Sequence, residues 1–318
     1  MASSLGSDDN AFQVLINVSN DDPAHLQSLY ENHRVGRNEQ QRAKILAESF
    51  PGWSLDEILK RLDGPEKEDG FMDPRNCLVI WARPSPPVQD LISFVQWSCH
   101  IGVEDKLIVM AALWLMPLEN LHTTVLEVAH SLTETQIEDL VQTLQSSQNV
   151  TGPQIAEYPL THRARLLKPM VSFDASAMAL SFVPAAGEGL DAYDDGDNYT
   201  YHHLRRDIFD MTRQTGLPVV SRYIVPSAHL TIARFITQNG FSAMGTNGVE
   251  QVDRSQVNLL VNRIDVINQK LQNEYWPQSN GSIKAGGEWI VGKDNGLVIR
   301  RGRLWYGGGE TVSFDRSV

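Results

Sequence analysis

The chain has 318 residues, of which 42% are hydrophobic and 21% are charged, proportions that are ordinary for a globular protein. Its formal net charge of −12 disfavours tight binding of long nucleic acid, because such binding requires many phosphates to be neutralised. A small nucleotide or a short RNA end remains compatible with this charge, since a local basic cluster can reverse the field inside one cleft. The sequence gives no indication of protein partners.

The sequence pattern carries no signal for a membrane. The longest apolar run, residues 107–117, is about half the length that a bilayer requires. The N-terminal decapeptide has neither the basic nor the apolar region of a signal peptide. Two cysteines, Cys77 and Cys99, are too few for a disulfide framework. We therefore expect a protein of the cytoplasm or the nucleus that does not associate with membranes.

Residues 1–70 are predicted to form an N-terminal helical extension. Asp22, followed by a proline, is typical of a helix start. Ser54 and Glu57 have the spacing of a capping box and predict a further short helix. The polar stretch 64–74 is punctuated by glycine and proline, and we expect it to separate the extension from the main domain.

Residues 71–318 are predicted to form one α+β domain. In chain order, the pattern indicates a buried strand at 76–84, a helix at 86–102, strands at 107–115 and 122–128, a helix at 133–145, strand structure within 164–184, an acidic loop at 185–198, a helix at 201–216, a strand from 229, a helix at 255–272 and a hairpin around Asp294-Asn295-Gly296. Strand, helix, strand and helix follow one another in two approximate rounds, which indicates two half-domains.

One short pattern occurs twice, once in each half. The two copies are His122-Thr123-Thr124-Val125 and His229-Leu230-Thr231-Ile232, and each follows a proline-containing turn and opens a strand-like run. Because side chains alternate between the faces of a strand, each copy presents one imidazole and one hydroxyl on the same face. Two such pairs that face each other could hold a phosphoryl group and move protons on both sides of it.

With this pair of motifs the chain resembles the 2H phosphoesterase superfamily, which includes bacterial 2′-5′ RNA ligase and eukaryotic cyclic phosphodiesterases. Its members carry a His-x-Thr/Ser-apolar motif on each lobe of a pseudo-symmetric fold. The neighbourhood agrees, since Glu119-Asn120 precede the first histidine and Ala233-Arg234 follow the second motif. The resemblance covers about residues 75–318. It implies a bilobal α+β fold in which two antiparallel-rich sheets face a central cleft and the helices lie outside.

The resemblance also implies an activity, namely metal-independent hydrolysis of a 2′,3′-cyclic or related cyclic nucleotide phosphate, with no cofactor. His122 and His229 would be the acid and base catalysts, since imidazole titrates near neutral pH. Thr124 and Thr231 would bind the non-bridging phosphate oxygens. The sequence leaves open which histidine is the base and which is the acid.

Further residues are candidates for substrate binding. They are Arg234, Tyr201, Tyr223, Phe235, Arg303 and Trp305. The aromatic members could stack on a base, and the arginines could contact phosphate. Arg234 lies five residues after His229, so strict alternation points it away from the cleft. It would require a β-bulge to reach the site.

Other interpretations remain open. The residues that follow Thr124 include Glu127 and His130, where the family commonly has an aliphatic run and a Gly-Glu turn, so the substrate is not fixed. A 2′-5′ phosphodiesterase, an RNA 3′-end processing enzyme or an RNA ligase-like enzyme would use the same four residues. A non-catalytic module could instead bind a nucleotide or a protein in the same cleft. His202-His203 is not interpreted as a metal site, because adjacent helical residues diverge by about 100°.

Overall fold

The architecture was taken from a computed structural model, which describes residues 10–100, 112–190, 196–220, 223–245, 248–304 and 308–314. Most of the strand predicted at 107–115, part of the acidic loop at 185–198, and Trp305 lie outside the described residues. The helices are α1 Ala11–Val18, α2 Pro23–Leu46, α3 Glu57–Asp63, α4 Pro86–His100, α5 Glu134–Ser146, α6 Gly152–Glu157, α7 Tyr201–Gln214 and α8 Arg254–Tyr275. The strands are β1 Asn76–Ala82, β2 Leu113–Leu115, β3 Thr123–Leu132, β4 Arg165–Phe173, β5 Ala177–Pro184, β6 Ala228–Phe235, β7 Ser242–Met244, β8 Glu250–Val252, β9 Glu288–Ile290, β10 Val298–Gly302 and β11 Glu310–Thr311.

The predicted α+β class is confirmed, since helices pack against a sheet whose described pairings are all antiparallel. The strand order is β11-β10-β1-β3-β6-β5-β4-β9, and β2 pairs with β6. β1, β3, β10 and β11 form one half of this sheet, and β2, β4, β5, β6 and β9 form the other half. β7 and β8 form a separate two-stranded sheet. The two halves are joined where β3 pairs with β6, and the described pairing there sets Thr123 opposite Leu230. No helix in the described part of the chain is both long enough and apolar enough to cross a bilayer.

Several predicted helix boundaries are confirmed and one is wrong. Asp22 caps α2, where its side chain accepts a hydrogen bond from Ala24 N. Thr133 opens α5 with a capping box. The helix predicted to be capped by Ser54 is capped instead by Asp56, which accepts a hydrogen bond from Leu59 N at 3.0 Å. The backbone of Ser54 is already engaged, since its N–H donates to Ala175 O at 2.8 Å.

The hairpin predicted around residues 294–296 does not form, although the turn does. β9 pairs with β4 and β10 pairs with β1, at opposite sides of the sheet. Gly296 N donates to Gly292 O, and both glycines have positive φ. A flat sheet would separate β9 from β10 by six strand spacings, about 29 Å. Residues 291–297 contain this turn and cannot span that distance, so the sheet must curve until its ends approach each other.

The N-terminal helices pack into the same hydrophobic core as the sheet. Phe12 of α1, Tyr30 of α2 and Leu59 of α3 are buried in the cluster that contains β3 and β6 side chains. Trp53 lies flat on Phe235 of β6, with ring centroids 3.9 Å apart. Its backbone N–H and C=O both bond the side-chain amide of Gln238. Residues 11–63 therefore share their core with the strand that carries the second His-x-Thr motif.

We predict that Trp53→Ala lowers the free energy of unfolding by about 3–5 kcal/mol, because it removes a buried aromatic ring and leaves a cavity. Trp97→Ala is the matched control, since Trp97 is 60% exposed on α4, and its effect should stay within about 0.5 kcal/mol. Chemical denaturation of both variants measures the difference. Equal stabilities of the two variants would contradict the packing of Trp53.

Candidate functional site

The two His-x-Thr motifs lie side by side in the sheet. Thr123 and Leu230, the middle residues of the motifs, are opposite each other in an antiparallel pair, and both are buried. Extending this register by one residue in each direction sets His122 opposite Thr231 and Thr124 opposite His229. The same four side chains line one cavity of about 210 Å³. We call this cavity the histidine cleft.

His122 is held by a backbone carbonyl and by an indole ring. Its Nδ1 lies 2.7 Å from Asn120 O, and a carbonyl can only accept, so Nδ1 carries the proton. Trp81 of β1 stacks on the imidazole, with ring centroids 3.7 Å apart and an interplanar angle of 15°. In the neutral ring, Nε2 therefore keeps its lone pair and can accept a proton.

His229 has hydroxyl groups where His122 has a carbonyl. Its Nδ1 lies 2.5 Å from Tyr223 Oη and 2.9 Å from Ser227 Oγ. Burial raises the pKa of Tyr223 to about 12, so the phenol keeps its proton and can donate it to Nδ1. With Tyr223 as the donor, the proton of the neutral ring is on Nε2. The environments of the two histidines favour opposite tautomers.

A buried arginine supports the segment that holds His229. Arg205 of α7 is fully buried, and its guanidinium donates to Val125 O at 3.1 Å and to Val225 O at 2.8 Å. It also bonds Tyr223 O. From the sequence, Arg205-Arg206 could be a basic cluster at a cleft or a solvated surface patch. The helical spacing of Tyr201, Arg205 and Ile208, all fully buried, is the signal that would have shown its inward face.

Both catalytic candidates are neutral at pH 7. Burial, helped by the charge of Arg83 and opposed by the Asn120 carbonyl, lowers the pKa of His122 to about 4. Burial also lowers the pKa of His229 to about 4, with contributions from the charges of Arg205 and Arg37. Desolvation penalises the charged form of each ring, and nearby arginines act in the same direction.

Arg234 reaches the cleft through the β-bulge that the sequence required. On β6, Thr231 pairs with Ala179 while Ala233 pairs with Met178, so one extra residue, Ile232, interrupts the alternation. Ile232 and Ala233 are both buried, and Arg234 emerges on the same face as Thr231. Its Nη1 lies 3.4 Å from Asp56 Oδ2.

Only part of the predicted substrate-binding set lines the histidine cleft. Arg234 and Tyr223 do, although the hydroxyl of Tyr223 is bonded to His229. Tyr201 and Phe235 do not, because both are buried in the core, Tyr201 beneath the Thr124 carbonyl and Phe235 against Trp53. The expectation that these two rings stack on a base is therefore wrong.

Arg303 also lies elsewhere. Its Nε donates to Asp73 O at 2.9 Å, and its side chain lines a separate cavity of about 600 Å³ between α5 and the end of β10. Trp305 lies outside the described residues. Apolar residues of the histidine cleft had no signal in the sequence interpretation. Trp81 is an example, since it lies in a strand that is buried throughout and the pattern gave no reason to single it out. Leu304 is likewise an apolar side chain at the cleft wall.

β3 turns Glu127 and His130 toward the cleft together with Thr124. Its pairing with β1 is irregular at three places, so the partly exposed positions along this stretch of β3 recur every third residue instead of every second. Glu127 and His130 line the histidine cleft on the side away from His229's own strand. From the sequence, both residues were departures from the family pattern, and neither was predicted to line the cleft.

The adjacent histidines of α7 have structural partners. His202 lies between Tyr30 Oη at 2.8 Å and Phe12 O at 2.9 Å, and His203 lies 2.6 Å from Asp21 Oδ1. Among the described residues, no group of three or more His, Cys, Asp and Glu side chains is arranged to hold a metal ion.

Comparison with known proteins gave weak structural similarity and no match in sequence. No family model matches the chain, and no curated protein matches it. Among solved structures, the chain is similar to a conserved protein of unknown function from Agrobacterium tumefaciens. The identity is 10% and the TM-score 0.37, over 69% of this chain and 88% of that one.

The contrast between the two histidines predicts a spectroscopic difference. At pH 7, both imidazoles should be neutral, with His122 protonated on Nδ1 and His229 on Nε2. Long-range ¹H–¹⁵N correlation spectra distinguish the two tautomers directly, and His122→Gln and His229→Gln variants assign the signals. The same tautomer on both rings, or a charged ring at pH 7, would contradict the hydrogen-bond pattern.

Proposed function

We propose that this protein is a metal-independent phosphodiesterase of the 2H type that hydrolyses a 2′,3′-cyclic or related cyclic nucleotide phosphate. One observation carries the proposal: the imidazoles and hydroxyls of both motifs line the same cavity, and the middle residues of the two motifs lie opposite each other in the sheet. An acid, a base and two neutral hydrogen-bond donors around one small cavity are what a phosphodiester requires on its two sides and its non-bridging oxygens.

The hydrogen-bond partners support a division of roles. His122 Nε2 keeps a lone pair and takes a proton from water as the water oxygen bonds to phosphorus. His229 carries a proton on Nε2 and gives it to the ribose oxygen as the bond from phosphorus to that oxygen breaks. The hydroxyls of Thr124 and Thr231 donate to the non-bridging oxygens as charge builds there. The cyclic phosphate becomes a phosphate monoester, His122 has gained one proton from the water, and His229 has lost one to the ribose oxygen. Proton exchange with the solvent then restores both imidazoles.

His229 can act as an acid only as an imidazolium, because a neutral imidazole is far too weak. In the free protein its pKa of about 4 leaves it neutral at pH 7. A bound phosphodiester carries one negative charge, which favours the imidazolium and raises this pKa. The substrate would therefore bring about the protonation that its own cleavage requires, and Arg234 at the cleft wall would share in binding the anion.

The proposal extends to architecture and compartment. The two halves of the sheet, which meet at Thr123 and Leu230, would be the two lobes of the 2H fold. Cys77 and Cys99 are buried free thiols, which suits the reducing cytoplasm or nucleus.

The first test is turnover of a panel of 2′,3′-cyclic nucleotides in the presence of EDTA. His122→Ala and His229→Ala should each lower kcat by about 10²–10⁴-fold, the usual contribution of a positioned acid or base. His25→Ala, at an exposed position on α2, is the matched control and should leave kcat unchanged.

Undiminished activity in His122→Ala or in His229→Ala would contradict the two-histidine mechanism. A well-folded protein that binds cyclic nucleotide without turning it over would support the non-catalytic module instead. Turnover restricted to 2′-5′-linked or 3′-5′-linked oligonucleotides would move the assignment to an RNA-processing enzyme with the same site.

The pH dependence follows from the depressed pKa values. The competent free enzyme has one imidazolium and one neutral imidazole, and both pKa values lie at about 4. Its population therefore falls as the pH rises, by roughly tenfold per unit well above these values. We expect kcat/KM to increase as the pH is lowered from 8 to 5. Initial rates at substrate concentrations far below KM measure it, and a value that is flat or rises toward pH 8 would contradict the assignment.

A further inference from the structure

Helix α2 covers a second cavity that opens from the histidine cleft. This cavity has a volume of about 400 Å³, and we call it the α2 cavity. It shares four lining residues with the histidine cleft: Tyr223, His229, Thr231 and Arg234. The histidine cleft extends from His229 toward β1 and β3, whereas the α2 cavity extends toward β4, β5 and α2. A group bound between the histidines would therefore have space on both sides.

Small side chains form the floor of the α2 cavity. Ala177, Ala179 and Ser181 of β5 are the antiparallel partners of Arg234, Thr231 and His229. Because paired residues point to the same face, these three side chains lie beside the catalytic candidates. Two alanines and a serine fill little of this face, and the space that they leave continues outward from His229.

The charges that line the α2 cavity are mostly positive. Arg34 and Arg37 of α2 and Arg234 of β6 face one acidic residue, Asp174. Burial lowers the pKa of His33, the remaining titratable side chain here besides Tyr223 and His229, so it adds no charge at pH 7. Glu31 pairs with Arg34 and Asp56 with Arg234, so an anion in this cavity would bind to guanidinium donors that the ion pairs leave unused.

Arg37 is the arginine best placed to bind a ligand. The side chain of Arg34 is 5% exposed, and its guanidinium donates hydrogen bonds to Lys168 O, Ser181 O and the Glu31 carboxylate. Arg37 is 54% exposed and, within the described part of the chain, donates one hydrogen bond, to Asp174 Oδ2 at 3.2 Å. A guanidinium has five N–H donors in a geometry that suits phosphate. The Arg37 side chain therefore retains donors for an anion in the cavity.

We propose that the α2 cavity binds a second phosphate of the substrate, so that the preferred ligand is a nucleotide with phosphate groups at both the 2′,3′ edge and the 5′ position of the ribose, alone or at the end of a short RNA. The inference rests on the proposed function for the phosphate held by the histidines. It also gives a role to the N-terminal 70 residues, because α2 supplies Arg37 and covers the cavity.

Equilibrium binding tests this subsite without relying on turnover. Uridine 3′,5′-bisphosphate and uridine 3′-monophosphate are titrated into the wild-type protein by calorimetry at constant ionic strength. The bisphosphate should bind about tenfold more tightly, as expected for one additional charge-assisted contact. Arg37→Gln should abolish this preference and leave the affinity for the monophosphate unchanged within about twofold.

Arg42→Gln is the matched control, because Arg42 lies on the same helix, is paired with Asp265 and does not line the α2 cavity. It should retain the tenfold preference. Thermal unfolding of the two variants checks that both are folded. Equal affinity of the wild type for the two ligands, failure to bind either of them, or the same loss in both variants would overturn the subsite.

The outcomes separate this inference from the proposed function. A preference for the bisphosphate that depends on Arg37, in a protein that turns over no cyclic nucleotide, keeps the subsite and rejects the enzyme. Histidine-dependent turnover with no effect of a 5′-phosphate on binding keeps the enzyme and rejects the subsite.

Discussion

The antiparallel pairing of β3 with β6 is the constraint on which the site depends. Thr123 and Leu230 are buried, so alternation sends the histidine and threonine on either side of each to the opposite face. Antiparallel register then puts each imidazole beside the hydroxyl of the other motif. A slip of one residue would turn all four side chains toward the core, and the apolar residues between them fix the register against that slip.

The surrounding residues make two similar motifs chemically unlike. A backbone carbonyl holds Nδ1 of His122, whereas hydroxyl groups of Tyr223 and Ser227 meet Nδ1 of His229. Burial lowers both pKa values, and the arginines near His229 add to the effect there. Among these arginines, Arg205 has the largest desolvation free energy, since its charge is fully buried. Hydrogen bonds to three backbone carbonyls compensate for its lost hydration. The phosphate of a substrate would be attracted into this field.

The sequence predicted what depends on local pattern and missed what depends on long-range pairing. The α+β class, the helix start at Asp22, a helix start at Thr133 or Thr135, and the alternation that brings His229 and Thr231 to one face could all be predicted from neighbouring residues. The hairpin at 294–296 was wrong because strand partners, unlike turns, are chosen across the whole sheet. Phe235 was misplaced because one bulge at Ile232 exchanged its face with that of Arg234. The contribution of α2 to the site could not be predicted, because this helix is at least 131 residues away in the sequence from β5 and β6, from Leu46 to Ala177.

The central claim is that both histidines act on one phosphoryl group, and a crystal structure with uridine vanadate tests it most directly, since this compound imitates the five-coordinate transition state of cyclic phosphate hydrolysis. The proposed mechanism predicts vanadium in the histidine cleft, with its two apical oxygens at hydrogen-bond distance, about 2.6–3.2 Å, from Nε2 of His122 and Nε2 of His229. The threonine hydroxyls should contact the equatorial oxygens. Vanadate bound outside the cleft, or in contact with only one of the two imidazoles, would contradict the claim.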